Sequence, residues 1–154
     1  MSFKSTFAAV LTASVLMTSA AFAGGVMVKD AYARSSRPNA PTGAAFMMLM
    51  NTTDTDIKLI GVRSDAAKRV ELHTHIDKGD GVMQMTQIEG GIAILAGESH
   101  MMKRGGDHVM LMGLNDPLVN GETISVTFEF ENADDLTVEI PVDSARKPAK
   151  GMDH

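Results

Sequence analysis

Residues 122–130, ETISVTFEF, alternate without a break: Ile124, Val126, Phe128 and Phe130 share one parity, and Thr123, Ser125, Thr127 and Glu129 the other. A period of two is the signature of a β-strand with one buried and one wet face. The stretch LTVEIPV at 136–142 repeats the pattern through Leu136, Val138 and Ile140, after the turn-forming NADD. Further strands are expected at 26–33, 44–51, 56–63, 69–76, 82–88 and 107–112, punctuated by RPNAPTG, NTTDTD, DKGDG, EGG, KRGGD and NDPLVNG. Short strands at this spacing, with no long amphipathic helix and no solenoid repeat, predict an all-β chain folded as an antiparallel sandwich or barrel.

The first 23 residues stand apart from this pattern. A single early cation, Lys4, precedes an apolar run from Phe7 that ends in Ala21-Phe22-Ala23, a small-x-small cleavage pattern. The run is short and interrupted by Thr and Ser, which suits a removable secretory signal over a permanent span. The expected division is therefore a signal peptide at 1–23, one sandwich domain at 24–142 and a flexible tail at 143–154. A bacterial periplasm is the expected destination, with no membrane span after cleavage.

Composition narrows the chemistry. The net charge is −5 and no Lys/Arg cluster is present, which argues against a nucleic-acid binder. There is no cysteine, so thiol nucleophiles, zinc ribbons, disulfide exchange and a blue-copper centre are all excluded. No flavin or nicotinamide motif appears either. Methionine is abundant instead, with eleven of thirteen lying after residue 23.

The methionines keep company with histidines. In RVELHTHI, Val70 and Leu72 share the parity expected to face the core, leaving His73 and His75 on the opposite face. DKGDG reads as a hairpin turn, because Gly79 and Gly81 accept positive φ. A hairpin symmetrical about Gly79 would set His73 opposite Met85 and His75 opposite Met83. In DHVMLMG the same parity holds: His108, Met110 and Met112 face outward if Val109 and Leu111 face the core. Thioethers displayed at a surface bury nothing useful, but they are soft neutral donors suited to Cu(I), and imidazole suits both Cu(I) and Cu(II). In an oxidising compartment such donors also escape the disulfide formation that removes thiols.

VELHTHIDKGDGVMQM, GGDHVMLMGL, GETISVTFEF and LTVEIPV together closely resemble the periplasmic copper chaperone family often called PCuAC, over about Val26 to Val142. The resemblance implies a single-domain, cupredoxin-like antiparallel β-sandwich with Greek-key topology and an exposed Cu(I) site. Its implied ligands are His73, Met85, His108 and Met110, with 11 residues between the first two and 22 between Met85 and His108. It also implies delivery of copper to the CuA centre of cytochrome c oxidase, with the CuA subunit or a Sco-type thiol chaperone as partner. Members often carry methionine just after the first histidine, where this chain has Thr74 and His75, so His75 is a candidate supplementary ligand, above all for Cu(II).

Met83 and Met112 read as packing around the site, and Met47, Met48 and Met50 mostly as core. The expected function is a monomeric metallochaperone and not an enzyme. Rival readings are copper storage or resistance, using His100–Met102 and the terminal Met152 and His154, electron transfer, and a metal-free structural or partner-binding sandwich. Histidine protonation is expected to weaken copper holding as pH falls through roughly 6.5.

Overall fold

A computed structural model of the chain describes residues 21–23 and 25–147. Most of the expected signal peptide and the end of the expected tail, including Met152 and His154, lie outside the described residues. Among those described there is no helix, and eleven strands form two antiparallel sheets. They are β1 (Ala21–Ala23), β2 (Val26–Arg34), β3 (Thr42–Asn51), β4 (Ile57–Arg63), β5 (Ala67–Asp77), β6 (Met83–Gln87), β7 (Ile92–Ile94), β8 (Ser99–Met102), β9 (His108–Leu114), β10 (Thr123–Glu131) and β11 (Leu136–Pro141). The larger sheet runs β1-β2-β3-β9-β5-β6, and the smaller runs β11-β10-β4-β7.

The alternation read from the sequence lines the interface between the sheets. Val126 and Phe128 from β10 and Ile140 from β11 are fully buried, and they pack in one cluster with Leu49, Leu72, Val109 and Leu59. Each such side chain contributes about 1.5–3 kcal/mol by leaving water. The outward parity of the larger sheet is thereby left free for other uses, and that is where the His/Met residues fall.

Three strands were not expected: β1, β7 and β8, each of three or four residues. The last changes the shape of the sheet. β3 pairs with β8 through Met47–Met50 and with β9 through Thr42–Ala45, so two successive strands share one edge of β3. The KRGGD segment, 103–107, joins them. A second polar feature escaped the sequence reading. Asn51 is 1% exposed, and its side-chain amide donates to the carbonyls of Thr55, Ile94 and Leu95 at 2.8, 3.1 and 3.2 Å. Its Oδ1 accepts from the Thr53 amide and hydroxyl. One side chain therefore ties the end of β3 to the exit of β7.

Beyond Val142 the chain is anchored for a few residues. The Asp143 amide donates to the Ala33 carbonyl at 2.9 Å, and the Arg146 guanidinium sits 4.6 Å from the centre of the Tyr32 ring.

Candidate metal centre

The β5–β6 hairpin carries the first half of the site, and its register differs from expectation. His75 lies opposite Met85, His73 opposite Gln87 and Asp77 opposite Met83. The reason is in the turn: Gly79, Asp80 and Gly81 all take positive φ (91°, 55° and 74°), so the hairpin is centred on Asp80. The Asp77 carboxylate accepts from the Gly79 amide at 2.8 Å, which fixes the turn's entry. A two-residue offset keeps every side chain on its expected face but exchanges its partner.

Strand β9 supplies the second half. His73 faces His108 directly, and Glu71 faces Met110, across the β5–β9 ladder. On its other side β9 sets Met110 opposite Ala44 of β3. The small side chain of Ala44 leaves room there. The result is an open cleft of about 430 Å³ on the outer face, whose lining includes His75, Met85, His108, Met110, Phe46 and Arg104. Three of the four expected ligands line it together with His75. The fourth, His73, is not part of that lining and stands beside it, its ring centroid 6.0 Å from that of His108. The His75 ring is 5.3 Å from His108.

His108 is not displayed at the surface as its parity suggested, being 2% exposed. The rings of Phe46, His73 and His75 crowd around it, and the Gly106 carbonyl lies against its Nδ1. Burial holds its imidazole below the ordinary value of 6.5, opposed by the Gly106 carbonyl 2.9 Å from Nδ1. That contact requires Nδ1–H and leaves Nε2 with its lone pair. His75 makes a longer contact of 3.4 Å from Nδ1 to the same carbonyl. His73 is arranged the other way: its Nε2 lies 2.8 Å from Glu71 Oε2, while its Nδ1 is buried and has no hydrogen-bond partner.

The remaining methionines separate cleanly. Met112 receives a contact from Arg69 at 3.4 Å to its sulfur, Met83 sits at the hairpin end 52% exposed, and Met47 and Met102 are core. His100 is paired with Asp107 at 2.9 Å. Among the described residues no three His, Asp or Glu side chains converge tightly enough to hold a metal by themselves. Met85 and Met110 are the two methionines that line the cleft.

This two-sheet sandwich is of the PCuAC type. A copper-bound PCuAC domain from PmoF2 superposes with a TM-score of 0.66 at 21% identity, covering 82% of this chain and 98% of that one. The apo form of DR1885 from Deinococcus radiodurans is 31% identical with a TM-score of 0.60, covering 94% and 95%. Its Cu(I) form is 32% identical with a TM-score of 0.59, covering 77% and 79%. The fold is thus cupredoxin-like, all-β and a single domain. The chain belongs to the LpqE-like family, described as "Putative lipoprotein LpqE-like", whose profile matches residues 26–142. A relative from Leifsonia xyli subsp. xyli, "Putative lipoprotein Lxx21020", is 35% identical over 120 residues, 78% of this chain and 70% of that protein.

Proposed function

We propose that this protein is an exported copper chaperone, not an enzyme, which binds one Cu(I) through His73, Met85, His108 and Met110 and passes it on. The observation that carries the reading is the convergence of imidazoles and thioethers at one open cleft, with a buried ring nitrogen of His73 left unpartnered beside it. An orphaned buried acceptor costs roughly 1–3 kcal/mol unless something completes it. A soft cation would do so, and the neutral donor set leaves the site at a charge of +1, favouring Cu(I) over Cu(II). The Cu(I) form of DR1885 supports the same choice of ion.

Exposure suits the site to transfer. Met85 is 43% exposed and His108 is buried, so an incoming ligand meets the weak thioether donor first and the anchored imidazole last. Copper would leave through a shared intermediate with the acceptor, in which donors are exchanged one at a time. The proposed acceptor is the CuA subunit of cytochrome c oxidase, directly or through a Sco-type thiol chaperone, with the protein working as a periplasmic monomer. The lipoprotein descriptions of its relatives support export.

Storage would need a second cluster of donors. His100 is engaged with Asp107 and Met102 is 1% exposed, which favours one equivalent per chain. The test is an anaerobic Cu(I) titration of residues 24–154 against a chromophoric chelator. One tight equivalent, lost in the Met85→Leu/Met110→Leu double variant, is the expected result. Several equivalents that survive the double change would favour storage, and no competition at all would refute copper handling.

A further inference from the structure

We propose that Glu71 is a positioning residue of the metal centre, which sets the tautomer of His73 so that Nδ1 is the atom offered to copper; the inference rests on the copper reading above. Glu71 and His73 are two residues apart on β5 and therefore share its outer face, where they stand opposite Met110 and His108 respectively. Glu71 Oε2 lies 2.8 Å from His73 Nε2, and the other carboxylate oxygen, Oε1, is held 3.2 Å from Arg69 Nε. Both oxygens are thus occupied, and the carboxylate cannot turn away without losing one partner.

An ionised carboxylate is an acceptor only, so the shared proton belongs to His73 Nε2. The lone pair must then sit on Nδ1, the atom that is buried without a partner. Among the described residues no group other than Glu71 bonds to either His73 ring nitrogen, so nothing else there would favour that tautomer. The opposite neutral form would bury a donor N–H where no acceptor is available. His108 is set in the complementary sense, with Nδ1 tied to the Gly106 carbonyl and Nε2 left as acceptor. Two facing imidazoles thereby present different ring nitrogens, each fixed by a separate oxygen. A carboxylate behind a metal-binding imidazole both orients the ring and strengthens its lone pair as a donor, and losing such a partner typically costs 10–100-fold in metal affinity.

The experiment joins two readouts on residues 24–154 and on its Glu71→Ala and Glu71→Gln variants. Long-range ¹⁵N–¹H spectra of the metal-free protein report which His73 nitrogen carries the proton, and competition with a chromophoric chelator reports Cu(I) affinity. Wild type should show the Nε2–H form. Glu71→Ala should lose that preference and bind Cu(I) about 10–100-fold more weakly. Glu71→Gln, whose amide oxygen can still accept from Nε2–H, should retain the tautomer and recover most of the affinity, with both variants checked for folding by their backbone spectra. An Nδ1–H form in wild type would overturn the inference. So would unchanged Cu(I) affinity in Glu71→Ala. A wild-type protein that binds no Cu(I) would instead overturn the copper reading itself, and Glu71's role with it.

Discussion

His73 and His108 face one another across the β5–β9 ladder with ring centroids 6.0 Å apart, one tied to a carboxylate and the other to a backbone carbonyl. The two rings belong to strands 35 positions apart in sequence, and the central position of β9 between β3 and β5 is what brings them together.

Burial lowers the affinity of His108 for a proton, and the sign of the consequence follows from that direction. In the unfolded chain the imidazole takes its proton near 6.5, but in the fold only at lower pH. The stability it contributes is present above about 6.5 and is lost as pH falls through that value towards the folded one. Thermal melts of the copper-free protein should therefore give a lower Tm at about pH 5.5 than at about 7.5. The difference should shrink in His108→Leu, and an equal difference in that variant would assign the effect to other groups. Protons also compete for Nε2 of His108 less than for an ordinary histidine, so copper holding at this ligand should persist below the pH expected from an unshifted imidazole.

His75 and His108 both touch the cleft, but only His108 is buried in it. His108→Ala should weaken Cu(I) binding by more than about 100-fold, beyond the range of a supporting residue. His75→Ala should cost less than about tenfold. Competition titrations of the two variants side by side make the comparison, and equal losses would place His75 within the donor set on the same footing.

Asn51 is a prediction about the frame. Replacing it by Ala leaves the carbonyls of Thr55, Ile94 and Leu95 without their shared donor. The expected cost is about 2–4 kcal/mol, read from urea denaturation followed by circular dichroism. A change within about 0.5 kcal/mol would mean that water replaces the amide without penalty.

How much of this was legible beforehand depends on whether the deciding interaction was local. Alternation in β10 and β11 is local, and it correctly assigned Val126, Phe128, Val138 and Ile140 to the core. The outward parity of His73, His75, His108 and Met110 followed from Leu72, Val109 and Leu111 in the same way. Register was harder. Gly79 and Gly81 are equally able to take positive φ, and nothing nearby in sequence chooses between a hairpin centred on Gly79 and one centred on Asp80. The burial of His108 depends on Phe46, His73 and His75, which are its neighbours in space only. Strands β7 and β8 are too short to establish a period, so neither was expected, and Met102, offered as a storage donor, belongs to the core. Glu71 looked like any polar residue on a wet face, because its partner's tautomer has no trace in a letter code.

The Gly106 carbonyl accepts from Nδ1 of His108 at 2.9 Å and lies 3.4 Å from Nδ1 of His75. Gly105 beside it has φ of 83°, a conformation few other residues would share. A single peptide plane is therefore the common hinge of two imidazoles. Displacing that one carbonyl would disturb both rings at once, a route to the cleft separate from the strands beneath it.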